Sequence, residues 1–325
     1  VENILSLAAD NLLSPIILSF VLGLAAALAR SDLSVPEAAA KAMSIYLLFA
    51  IGFKGGVSVA DHGIDLRLGM TLGAGLVLSF ALPFLAFGLV RLLSNLSVID
   101  AAAVAGHYGS ISIVTFVTAT SVLASQGIAA EGYMVAVAAV MEAPAILSAL
   151  WLATRGGKAA GVEGGLWREI LLNGSIVLLV GAFLIGWATG PKGLAEISSF
   201  IVAPFKGVLC LFLLDMGLVA GRGLRGSRGV VGAGAVAFAL IMPPLGAAVG
   251  MALGLLIGLS TGGLVLLMVL AASASYIAVP AAMRVALPEA NPSVYLTLSL
   301  GVTFPFNLVL GIPLYVAVAT WITGG

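Results

Sequence analysis

The stretch Gly106-His107-Tyr108-Gly109-Ser110-Ile111-Ser112 interrupts one apolar run of this chain, and Ala272-Ser273-Ala274-Ser275-Tyr276, followed by Pro280, interrupts another. The two lie in matching places in the two halves of the sequence. Unwound backbone inside a bilayer leaves N–H and C=O groups without partners, and it is tolerated only where it is buried in protein or lines a cavity. Paired interruptions of this kind are the best sequence pointer to a transport site.

The composition fits that reading. Of 325 residues, 61% are hydrophobic and 9% charged, against about 25% charged in a soluble domain. The chain reads as an all-α polytopic membrane protein. Its 41 glycines suit close helix packing, where lipid supplies no hydrophobic drive for association. Zero net charge implies no nucleic-acid partner. The lone Cys210 lies in an apolar run and excludes a disulfide scaffold. No basic region precedes the first apolar run, so a cleavable signal peptide is not expected.

Hydropathy predicts ten spans, at roughly 12–30, 36–58, 67–93, 99–124, 132–154, 169–189, 196–221, 229–258, 261–286 and 293–322. With the N-terminus outside, the inner loops and flanks carry Arg30, Lys41, Arg91, Arg155, Lys158, Arg168, Arg222, Arg225, Arg228 and Arg284. The outer ones carry Lys54, Arg67 and Lys192. This asymmetry predicts both termini on the periplasmic side of a bacterial inner membrane. Trp151, Trp167, Trp187 and Trp321 fall near span ends, as interface anchors do.

The polar, Gly-rich connection 155–168 reads as a cytoplasmic linker. It divides the chain into residues 1–154 and 169–325. Short matches recur between these parts at an offset of about 160 residues, among them Ser110 and Ser112 with Ser273 and Ser275, and Tyr133 and Pro144 with Tyr295 and Pro305. Five spans per part is an odd number, so two copies insert in opposite orientation as inverted repeats.

After each break a new half-helix begins, with unpaired N–H groups and the positive dipole end at its start. In inverted copies two such starts face each other near the bilayer centre. Backbone N–H groups and Ser hydroxyls then build an anion site without a buried Arg. The absence of a deep Arg favours a small mono-anion over a di-anion or phosphate ester. Helix packing by Ser and Gly is the alternative.

Glu142, beside Pro144, lies near the middle of span five, where an acid costs about 2.5–3.5 kcal/mol. Its counterpart region holds Thr303, Pro305 and Asn307. Carboxylate, amide and hydroxyl oxygens beside a mid-span proline suit Na+ or H+ coupling. A protonated Glu142 hydrogen-bonded to another helix is the alternative. His107 stands alone, so no metal site other than one for sodium is expected. Glu142 and Asp215 are the candidate acids for an intramembrane protease, and neither has a Gly-x-Gly-Asp setting, so the chain reads as a non-enzyme.

The residues from Ala272 to Arg284, Leu287-Pro288-Glu289-Ala290-Asn291-Pro292-Ser293, Leu300-Gly301-Val302-Thr303-Phe304-Pro305-Phe306-Asn307 and Gly311-Ile312-Pro313-Leu314-Tyr315 resemble the sodium-dependent bicarbonate transporters first known from cyanobacteria. Pro36-Glu37, Gly52-Phe53-Lys54-Gly55-Gly56, Gly109-Ser110 and Met141-Glu142-Ala143-Pro144 carry the resemblance in the first half. It implies five plus five inverted helices, with broken, crossing helices four and nine. A core of spans three to five and eight to ten moves against a gate of spans one, two, six and seven. It further implies a homotrimer, sodium symport and a PII-like cytoplasmic regulator. The chain departs from it in a shorter central loop and at His107-Tyr108, where smaller residues are expected.

The function expected is therefore sodium-coupled bicarbonate symport by alternating access. Gly109, Ser110, Ser112, Ser273, Ser275 and Tyr276 are expected around the anion, and Glu142, Thr303, Asn307 and Thr115 around Na+. Sodium- or proton-coupled transport of another small anion, such as an organic carboxylate, is the alternative on the same fold. A sensor that binds without flux is a third.

Overall fold

The computed structural model describes residues 13–63, 65–142, 144–154, 172, 174–226, 231–276, 279–280, 282–283 and 287–324. Every regular element among them is a helix. In chain order these are α1 (Pro15–Leu28), α2 (Glu37–His62), α3 (Leu66–Leu93), α4 (Val98–Gly109), α5 (Ile113–Ser125), α6 (Met134–Val140) and α7 (Pro144–Thr154). Then follow α8 (Gly174–Ile201), α9 (Phe205–Gly226), α10 (Ala233–Ile257), α11 (Thr261–Ala272) and α12 (Pro292–Thr323). Linker 155–168 lies outside the described residues, as do Arg228 and Arg284.

Among the described residues, eight segments are long and apolar enough to cross a bilayer: α2, α3, α4 with α5, α6 with α7, α8, α9, α10 and α12. Helices α1 and α11, of 14 and 12 residues, correspond to spans one and nine and are shorter. The fold is that of a multi-pass membrane protein. Its lipid-facing surface is apolar: Leu76, Val77, Phe80 and Leu85 on α3 and Leu240, Ile241, Leu245 and Leu256 on α10 are all exposed. Such a continuous apolar face belongs against hydrocarbon.

The helices pack in two groups. Helix α1 lies along α9, and α2 along α8. The other group joins α3 to α4, α7 and α10, and α11 to α10 and α12. Glycine makes the first group close. Gly23 of α1 abuts the backbone of Leu214, and Gly217 of α9 abuts that of Phe20. Gly56 of α2 abuts the backbone of Phe183, and Gly186 of α8 that of Phe53. A Cβ at any of these positions collides with a carbonyl of the facing helix, so small residues here set the interhelical distance.

Two proline sites behave differently. Span five breaks at Met141–Glu142, between α6 and α7, just ahead of Pro144. Around Pro305 the helix α12 continues, widened into π-helical turns at Thr297–Thr303 and Asn307–Gly311. The wider turn absorbs the missing N–H without ending the helix. Span six also differs from expectation. Gly190 (φ 58°) kinks α8 ahead of Pro191, and the helix resumes to Ile201, so α9 starts at Phe205 rather than near 196. Glycine tolerates the positive φ, and proline is preset for a first helical turn.

Gly186→Val should prevent α8 from seating on α2, destabilising the protein by about 1–3 kcal/mol or more. Gly181→Val, five residues earlier where a Cβ meets nothing within 4 Å, should leave the unfolding midpoint in detergent close to wild type. Equal midpoints for the two variants contradict the packing argument.

Candidate functional site

The site is built on two half-helices of equal length. Helices α4 and α11 have 12 residues each, and Val98 to Thr261 is a step of 163 positions, as is Gly109 to Ala272. Each is N-capped by a serine and each stops at one: Ser97 and Ser110 bound α4, and Ser260 and Ser273 bound α11. A carboxylate sits on both N-caps. Ser97 Oγ donates to Asp100 Oδ2 at 2.7 Å, and Asp100 Oδ1 accepts Asn291 N–H at 2.8 Å. Ser260 N–H and Oγ donate to Glu131 Oε1 and Oε2, both at 2.8 Å. Negative charge there favours the helix dipole. Each tie also fastens the loop after one broken helix to the start of the other.

The two breaks meet. Ser112 N–H donates to Ser273 Oγ at 2.9 Å, and Ser275 N–H donates to the His107 carbonyl at 2.7 Å. Ser112 Oγ accepts Thr115 N–H at 3.2 Å and Thr115 Oγ1 at 2.8 Å, which caps α5. Ser273 Oγ donates to Leu270 O at 3.0 Å. Ser275 Oγ accepts Val279 N–H at 3.4 Å. The Tyr276 hydroxyl is buried facing Ser112 without a formed hydrogen bond. Its ring packs edge-on against Phe304 at 5.0 Å. Two backbone N–H groups at the breaks, those of Ser112 and Ser275, are thus satisfied by the opposite break.

Glu142 joins this cluster. Ser110 Oγ donates to its Oε2 at 2.9 Å. Ser79 of α3 holds the broken span that carries Glu142: its hydroxyl donates to Met141 O at 2.5 Å and accepts Ala145 N–H at 3.2 Å. Thr303 and Asn307 bond instead to residues that flank the two breaks. Thr303 Oγ1 lies 2.6 Å from Tyr108 OH and donates to Ala239 O at 2.7 Å. Asn307 Nδ2 donates to Ala272 O at 2.9 Å, and its Oδ1 accepts Tyr315 OH at 3.1 Å. Among the described residues no hydrogen bond joins Glu142 to Thr303 or Asn307. Gly109 serves packing, since a Cβ there collides with the ring of Pro83.

Ser79, Tyr108 and Tyr315 complete the site without having been singled out as ligands. Tyr315 is eight residues beyond Asn307, about two helical turns and outside the spacing of adjacent helix-surface pairs, so this contact had no direct signal in the sequence. Ser79 had none either, because its partner lies 62 residues away. His107 is fully buried. Its Nδ1 lies 2.7 Å from Ala103 O, which assigns the proton to Nδ1, and its ring stacks on Tyr295 at 4.4 Å. Among the described residues no three His, Cys, Asp or Glu side chains gather as metal ligands.

A family model described as the Na+-dependent bicarbonate transporter superfamily matches residues 15–320. No curated protein matches the chain closely enough to inform its reading.

Ser79→Ala removes both bonds across the span-five break and leaves two buried backbone groups unpaired, which should cost about 1–3 kcal/mol. Thermal unfolding in detergent should show a lowered midpoint, and an unchanged one removes Ser79 from this role.

Proposed function

The chain belongs to the Na+-dependent bicarbonate transporter superfamily, and on that premise we propose that it moves bicarbonate together with Na+ by symport. The observation that carries the proposal is the exchange of hydrogen bonds between the two breaks, Ser112 to Ser273 and Ser275 to His107, with Glu142 attached through Ser110. An entering mono-anion finds convergent hydroxyl and backbone donors there, and Tyr276 adds a hydroxyl not yet spent on another group. Glu142 supplies the oxygen for Na+, with Thr115, Thr303 and Asn307 as further donors. Na+ beside the anion offsets its charge, so each ligand raises the affinity for the other.

The architecture proposed is ten spans arranged as inverted repeats, residues 1–154 and 169–325, joined by the linker 155–168. The step of 163 positions from α4 to α11 supports it, and the same step separates Gly23 from Gly186, each of which meets its partner helix backbone. The paired loop ties at Asp100 and Glu131 support it too. The two packing groups correspond to a gate (α1, α2, α8, α9) and a core (α3 to α7 and α10 to α12). Alternating access then rocks the core against the gate. Family membership further supports a homotrimer in the bacterial inner membrane with periplasmic termini, regulated by a PII-like protein at its cytoplasmic face.

Sodium-dependent uptake of labelled bicarbonate into proteoliposomes tests the proposal, and an absence of uptake refutes it. Ser110→Ala combined with Ser275→Ala should abolish uptake while the protein still reaches the membrane. Glu142→Gln should raise the Na+ concentration for half-maximal uptake by tenfold or more, about 1.4 kcal/mol. An unchanged sodium titration takes Glu142 out of the cation site. Competition by unlabelled organic carboxylates separates bicarbonate from other small anions.

A further inference from the structure

A cavity of about 260 Å³ opens between the two packing groups. Lys54 of α2 and Phe205 of α9 line one wall, and Phe116 and Thr120 of α5 and Leu266 of α11 line the other. Phe116 lies one helical turn beyond Ser112, about 6 Å along the helix axis. The cavity therefore reaches to within roughly a turn of the breaks.

Its lining is mostly apolar and carries two charged side chains, Lys54 and Glu131. Both Glu131 oxygens are engaged by Ser260. Lys54 is in a different state. Its ammonium sits 4.3 Å from the centroid of the Phe205 ring. Among the described residues no carboxylate is within ion-pair distance of it. An aromatic face meets one side of the ammonium and leaves N–H donors toward the cavity. A lysine placed within a membrane span is costly and is by default a functional group with a partner to be named. Here the cavity's carboxylate, Glu131, is held by Ser260 and is not ion-paired with Lys54.

We propose that Lys54 is a docking group for the transported anion, holding it in this cavity on its way to the breaks. The inference rests on the proposed bicarbonate transport and adds a step to it. A small mono-anion fits because it neutralises one ammonium, and the low-dielectric walls around Lys54 concentrate its field in the cavity. The central site, which has no Arg or Lys among its bonds, receives an anion already stripped of part of its water. Lys54 acts on the anion directly, and its effect falls on capture rather than on the turnover of the core.

Exchange of labelled bicarbonate across proteoliposomes carrying the full chain, with Na+ on both faces, tests this. Lys54→Gln should raise the half-saturating bicarbonate concentration about tenfold and leave the maximal rate within about twofold. Lys54→Arg should restore half-saturation to near wild type. The wild-type half-saturation should also rise with added impermeant salt more steeply than that of Lys54→Gln, a response that a packing role does not produce. Should Lys54→Gln fail to insert, Lys54→Met keeps the stem against Phe205 and carries the same expectation. Wild-type exchange with unchanged half-saturation in the neutral variant overturns the role of Lys54 alone. Absence of sodium-dependent exchange in the wild type overturns the transport reading and this one together.

Discussion

Backbone hydrogen bonding in a medium without water is the constraint on which this structure depends. Each of two helices stops in the buried core, and each stop releases N–H and C=O groups that hydrocarbon cannot satisfy. The fold answers by placing the stops against each other, so that Ser112 N–H reaches Ser273 Oγ and Ser275 N–H reaches the His107 carbonyl. Neither break is tolerable alone. The pairing requires that the half-helices be equally long and equally anchored, which accounts for the serine caps and carboxylates at both starts. In the function proposed, the anion enters this same polar cluster by exchanging partners with it.

The glycine-rich helices around this centre follow from a second constraint. Lipid does not drive helices together, so association relies on close contact. Gly23 with Gly217, and Gly56 with Gly186, bring α1 to α9 and α2 to α8 at backbone distance. The centre itself is held differently, by hydrogen bonds between α12 and the half-helices: Thr303 with Tyr108 of α4, and Asn307 with Ala272 of α11. Glycine serves the second group as well, where Gly246 and Gly250 of α10 abut the backbone of α11, and Gly55 of α2 meets Val135 of α6 between the groups. The cavity at Lys54 is lined by residues of both groups.

The serines of the breaks were legible because a polar residue in an apolar run has few structural uses, and four of them fell in two matching pairs. Glu142 was legible for the same reason, as a membrane-embedded acid. Ser79 was not, because a lone serine in an apolar helix is indistinguishable from a packing residue until Met141 and Ala145 come to face it. The two prolines were read alike and are not alike. Pro144 follows the end of a helix, whereas Pro305 lies between π-helical turns that keep α12 continuous. Local sequence states that an N–H is missing; the surrounding contacts decide whether the helix breaks or widens.

Hydropathy, the scarcity of charge and the paired interruptions by themselves determined a multi-pass helical membrane protein with two breaks, since these depend on composition and local spacing. The close family resemblance was likewise readable from the residues around Pro280 and Pro305. Which groups touch was decided by the tertiary structure. It bonds Ser110 to Glu142 while giving Thr303 and Asn307 other partners, seats Gly109 on Pro83, and sets Lys54 over Phe205 without an acid. Those contacts join residues distant in sequence, and in a bilayer each buried polar group must find such a partner wherever the packing provides one.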